Sequence, residues 1–232
     1  MISDELPCSP RAFLQLRAWL SPSFPNGAYS YSHGLEWAVE AGHIDDRPSL
    51  VDWLEADLCY GSGRNEAIFF NEAYRCVVED DQVGLTRVAE LAAATRGTSE
   101  FALESSQQGT ACLATLCQAW PHRILDVFVE MSCQQVLAVV LGARSAGERI
   151  PARLALPAFL HGYVANLVIA GVRLIPLGQT DGQLAIAALE DAVLSASAQS
   201  NCATLDDLGS AGFMVELASI AHETQYTRLF RS

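Results

Sequence analysis

Five histidines and seven cysteines are the side chains best equipped for metal binding or nucleophilic attack in this 232-residue chain, and their spacing supports neither. The histidines stand at 33, 43, 122, 161 and 222. None has a second histidine or a cysteine three or four residues on, the interval that places two ligands on one helical face. Cys112 and Cys117 are separated by about 500° of helical rotation, so their thiols diverge by about 140°. There is no glycine-rich phosphate loop, no H-E-x-x-H zinc motif, no G-x-S-x-G nucleophile elbow and no dinucleotide-binding glycine pattern. No catalytic residue, metal ligand or cofactor is assigned.

Three stretches carry unusual chemistry of another kind. Phe24 to Glu36 reads FPNGAYSYSHGLE, and after a Pro25/Gly27 turn it crowds Tyr29, Ser30, Tyr31, Ser32 and His33 ahead of a helix. Such a turn reads as an elaborate N-cap, with Ser30 or Ser32 accepting from free helix amides. Its alternative is a partner site, because tyrosines supply stiff, amphipathic contact area. Arg96 to Gln108, RGTSEFALESSQQ, is polar enough to be a solvated helix face. If one side were buried, Glu104 and its neighbours would need partners. The chain then ends HETQYTRLFRS, where Tyr226, Leu229 and Phe230 alternate with Arg228 and Arg231. Arginine and aromatic residues dominate interface energetics, so this tail favours contact with another chain.

The elements that position these groups are helical. Alanine and leucine dominate and the apolar spacing is repeatedly three or four, which predicts an all-α, single-domain bundle of nine or ten helices over residues 1–232. Ser9-Pro10 and Asp46-Pro48 read as helix starts, and Gly42 as a stop. Helices are expected near 10–20, 32–41, 46–58, 65–79, 83–96, 99–119, 123–142, 152–175, 181–199 and 207–225. Residues 154–172 are apolar almost throughout, and a fully buried core helix is the expectation in place of a membrane span. One side of that helix sets Ala158, Gly162 and Asn166 where another helix could approach, either within the chain or across a dimer seam. His161 beside them reads as a hydrogen-bonded core or interface group.

Subtracting 27 acidic from 14 basic residues leaves −13, a charge that repels nucleic acid and anionic membrane surfaces. Half the residues are hydrophobic and the mean hydropathy is +0.19, which suggests apolar surface reserved for a partner. An odd number of cysteines without framework spacing, and an acidic start without a signal-like apolar run, point to reduced thiols in the cytoplasm.

Taken together, FPNGAYSYSHGLEWAVEAG, RGTSEFALESSQQG, GYVANLVIAGVRLIPLGQTDGQ and HETQYTRLFRS resemble, in order and spacing, the urease accessory protein UreF family, over nearly the whole chain. The resemblance implies an all-helical homodimer without catalytic activity. It implies a platform, formed with the accessory protein UreD, that recruits the GTPase UreG so that nickel is loaded into apo-urease on GTP hydrolysis. The implied partner surface comprises Tyr29, Ser30, Tyr31 and His33 in the turn, with His222, Glu223, Tyr226, Arg228, Leu229, Phe230 and Arg231 in the tail. Tyr29 and Arg228 match the family's motif positions for partner docking and GTPase recruitment. Residues 223–232 are expected to become ordered when a partner binds, and Ala158, His161, Gly162 and Asn166 to form the dimer surface. Asn26 and Gly97 depart from the family's usual residue types. A competing expectation is a nickel-carrying metallochaperone, using His and Cys groups that folding or dimerisation brings together.

Overall fold

The computed structural model describes residues 8–232, which contain twelve α-helices, two short 3₁₀ turns and no strand. In order, they are α1 (Pro10–Trp19), α2 (Leu35–Glu40), α3 (Arg47–Tyr60), α4 (Ser62–Val78), α5 (Gln82–Ala94) and α6 (Ser99–Ala119). They continue as α7 (Ile124–Glu130), α8 (Leu137–Gly147), α9 (Ala152–Leu174), α10 (Gln179–Ala188), α11 (Glu190–Ser200) and α12 (Phe213–His222). The 3₁₀ turns are Ala28–Ser30 and Leu205–Asp207.

Local chemistry sets several of these boundaries. The Ser9 hydroxyl accepts the Ala12 N–H at 3.1 Å and Pro10 opens α1, while Asp46 accepts the Ser49 N–H at 2.9 Å ahead of α3. At the centre, α4 lies directly on α8. A Cβ added to Gly142 would come within 2.3 Å of the Phe70 carbonyl oxygen, so the absence of a side chain is what allows the contact. Phe70 then stacks on Phe159 of α9, ring centroids 5.2 Å apart, within one continuous buried core.

Three helical stretches differ from the sequence expectation. The segment near 123–142 divides into α7 and α8 because the Gln135 amide donates to the Phe128 and Cys133 carbonyls, capping the end of α7. The stretch near 181–199 breaks at Leu189, which is fully buried, and Glu190 and Asp191 then favour a new N-terminus. The last expected helix contracts to α12, since Leu205–Asp207 close a separate 3₁₀ turn and Ala211 donates its N–H to the Tyr60 carbonyl.

Nor is α9 fully buried. It is long and apolar enough to cross a bilayer, yet half of its apolar window is inside the bundle and one stripe is not. His161, Ile169 and Arg173 are exposed along that stripe, and Ala158, Gly162 and Asn166 are half-buried between them. These residues share one side at 100° per residue. His161 is therefore not a core residue, and a Cβ on Gly162 would meet nothing closer than Leu20 at 3.9 Å.

Candidate partner-docking site

The turn ahead of α2 holds an unusual backbone. The Asn26 side chain accepts the Ala28 N–H at 3.1 Å, Gly27 takes φ 77°, and His33 and Gly34 follow at φ 56° and 79°. A non-glycine residue in the left-handed region needs its surroundings to hold it there. Gly34 is also required for space, since a Cβ would approach the Ser219 nitrogen of α12 to 2.9 Å. His33 is held by Glu104 at 3.1 Å, Ser62 at 2.6 Å and a parallel stack on Phe101 at 3.9 Å.

The opposing wall is α6. Glu100, Glu104 and Gln108 recur every fourth residue and all three are buried, so the solvated-face reading of residues 96–108 is wrong for this side of the helix. Their partners come from distant parts of the chain. Glu100 faces His222 Nδ1 at 2.8 Å and accepts from Arg228 at 3.1 Å. Glu104 accepts from Gln108 and from the Ser232 hydroxyl, each at 3.0 Å. From α2, Glu36 faces His222 Nε2 at 3.1 Å and accepts the backbone N–H groups of Leu229 and Phe230 at 2.6 and 2.9 Å.

These bonds seat the tail. Ser32 donates its N–H to the Ser232 carbonyl at 2.8 Å, and Arg231 donates its own to the Ser30 carbonyl at 2.9 Å. Phe230 is buried under the Arg173 guanidinium, 4.3 Å above its ring, and the same arginine donates to the Tyr29 carbonyl at 2.9 Å. Residues 223–232 were expected to find a place only on a partner. In the single chain they already have one, because buried carboxylates of α2 and α6 need donors and the tail's backbone N–H groups, Arg228 and the Ser232 hydroxyl supply them. Turn and tail thus meet through Arg231, Ser232 and Arg173, while Arg228 pairs with Glu100 of α6. Tyr29, Tyr226 and Leu229 are left facing solvent, and the Arg228 side chain is 41% exposed.

Ser30 contributes its carbonyl oxygen. Tyr31 donates its hydroxyl to Gln107, which also accepts from Arg231 at 3.2 Å, and burial raises the phenol's pKa against the opposing effect of Arg231. Ser32 accepts the Glu36 N–H at 3.3 Å, so the capping role expected of it is partly met, although Gly34 is the residue that precedes α2. Glu223 is exposed on the last turn beside α12. Glu36, Glu100 and Arg173 are the members that sequence reasoning missed. The four-residue spacing of Glu100, Glu104 and Gln108 was the one available signal.

Ser62, His33 and Glu104 have the connectivity of a nucleophile, base and orienting acid. Proton inventory argues against that role. The single Ser62 hydroxyl proton goes to Asp57 at 2.8 Å, so His33 donates from Nε2 to Ser62 and from Nδ1 to Glu104. Burial pulls the His33 pKa down, but the charge and hydrogen bond of Glu104, with Asp57 and Glu66, outweigh it and leave the pKa above the usual 6.5. A ring that holds both protons is not a general base. Tyr163, donating to Asp57 at 2.7 Å, closes the group, and its pKa is pushed well up by burial and then by the Asp57 charge. A cavity of about 370 Å³ lies against these residues.

A nucleophilic thiolate is disfavoured at Cys76 and Cys112, where burial raises the first to about 11 and the second further still. Among the described residues no three His, Cys, Asp or Glu side chains converge to hold a metal ion.

Fold and site together define an all-helical protein whose candidate site is a tail-braced surface. The chain belongs to the UreF family: the UreF family profile matches residues 44–190. Urease accessory protein UreF of Rhodopseudomonas palustris (strain BisB5) is 51% identical over 220 residues, covering 94% of this chain and 90% of the relative. UreF of the same species, strain HaA2, is 50% identical over 220 residues, with 94% and 92% covered. UreF of Bradyrhizobium diazoefficiens is 47% identical over 223 residues, with 95% and 92% covered. The profile's matched residues include neither the Tyr29 turn nor the tail.

Proposed function

We propose that this chain is a non-catalytic urease maturation scaffold of the cytoplasm. With UreD it recruits the GTPase UreG, so that nickel enters apo-urease in a GTP-dependent step. The single observation that carries this reading is the joining of turn and tail by Glu36, Glu104 and Arg173. It leaves Tyr29 of the turn and Tyr226, Leu229 and Arg228 of the tail as exposed aromatic, apolar and cationic groups on an otherwise acidic protein. Side chains of this kind, fixed by a buried frame, lose little entropy when a partner covers them.

In the same reading two copies pair through the uncovered stripe of α9, where Ala158, Gly162 and Asn166 offer low relief beside His161. Affinity capture with tagged UreD in the presence of UreG tests the scaffold role. Tyr29→Ala and Arg228→Ala chains should retain UreD and lose UreG. Undiminished UreG capture by both variants would remove the basis for the proposal. Sedimentation of a Gly162→Arg chain tests the pairing, with a monomer expected.

A further inference from the structure

Away from the turn and tail, a groove runs between α1 and the α6–α7 connection, and its floor carries Arg144 of α8. Only 1% of Arg144 is exposed. Its Nη2 donates to the Trp120 carbonyl at 3.3 Å and to Glu148 at 2.6 Å, and the guanidinium lies 4.8 Å above the Trp19 ring. Its Nε and Nη1 groups have no hydrogen-bond partner, and neither does the buried Oε1 of Gln15 in the same groove. Buried donors and acceptors of this kind are costly when left unmade. Arg11 stands exposed on the groove wall, so two guanidinium groups face one carboxylate in a chain whose net charge is −13. His122 reports the same local field. Its pKa is lowered by burial first and then by the Arg144 charge, with Glu148 opposing and Arg123 adding a smaller push in the same direction.

We propose that this groove binds a small oxyanion of the phosphate class that carries a hydroxyl. Its charged oxygens accept from Arg144 and Arg11, and its O–H donates to Gln15 Oε1. The ligand needs both functions because the groove leaves both a donor and an acceptor unmatched. A fully deprotonated anion such as sulfate satisfies the arginines but leaves the Gln15 oxygen facing another oxygen. Glu148 and the Trp120 carbonyl already take Nη2, so Nε and Nη1 are the positions left for the ligand's oxygens. The unpaired N–H groups and the Gln15 oxygen are shielded from solvent, so binding has to displace the exposed Leu14 side chain of the groove lining while Gln15 stays in place to accept.

Isothermal titration of the full chain with inorganic phosphate, and separately with sulfate at matched ionic strength, tests this. One saturable phosphate site per chain is expected, with sulfate weaker by roughly tenfold because one buried hydrogen bond is replaced by a repulsive contact. Arg144→Lys should weaken phosphate by about tenfold, since lysine cannot reproduce the planar set of donors. Arg11→Gln, an exposed change that leaves the core intact, should weaken it by about threefold. The absence of saturable phosphate binding to the unaltered chain overturns the proposal. So does equal affinity for sulfate, or an Arg11→Gln chain of unchanged affinity and unchanged circular dichroism.

Discussion

The Glu36 carboxylate accepts the backbone N–H of Phe230 at 2.9 Å, joining α2 to a residue 194 positions further along the chain. A second oxygen takes the Leu229 N–H, and the ring of His222 approaches the same group from α12. One buried acid therefore holds both the last helix and the segment that follows it.

Glu36→Gln keeps the shape but loses charge and half of the acceptor capacity. The amides of Leu229 and Phe230 should then exchange with solvent faster, and chemical denaturation should show a loss of about 1–3 kcal/mol. Hydrogen exchange resolved to residues 226–232 measures the first effect. Unchanged protection there would show that the tail is held by other contacts.

Arg228→Ala acts differently. The guanidinium is 41% exposed and Glu100 keeps His222 as its partner, so stability should fall by no more than about 1 kcal/mol. Capture of the GTPase should be lost while the melting temperature barely moves. The opposite pattern, a destabilised chain that still captures the GTPase, would make the arginine a structural residue.

Phe230→Ala removes the ring buried beneath Arg173. Trypsin should then cut after Arg228 faster by tenfold or more, because cleavage follows the population of the released tail. Gel analysis of a timed digest reads this directly, with Leu229→Ala, a change at an exposed position, as the comparison.

Stability should depend on pH through His33. Its folded pKa is raised above 6.5, so the folded state binds the proton more tightly than the unfolded chain. That contribution is fully present below about 6.5 and is lost as pH rises through the higher folded value. His33→Asn tolerates the positive φ and should flatten this part of the profile. Urea midpoints measured across that window for both chains make the comparison, and parallel profiles would assign the dependence elsewhere.

Gly34→Ala places a Cβ 2.9 Å from the Ser219 nitrogen at a φ of 79°. A cost of about 1–3 kcal/mol is expected from backbone strain alone, with α12 displaced from α2. Thermal melts would reveal it.

The helical class, the starts at Ser9-Pro10 and Asp46, and the turn at Pro25 and Gly27 were all legible in the sequence, because caps and periodicity act between residues a few positions apart. The pairing of the turn with the tail entered only as an implication of family resemblance. What the tertiary structure alone decided was which polar groups go inside. Glu100 and Glu104 could be read as solvated, since their partners His222, Arg228 and Ser232 lie 122 to 128 residues away. Leu189 and Gln135 broke helices that local spacing would have continued, one by entering the core and the other by capping a helix seven residues before it. Local propensity specifies elements over a single turn of chain. The burial of a charge depends on what the whole fold brings against it.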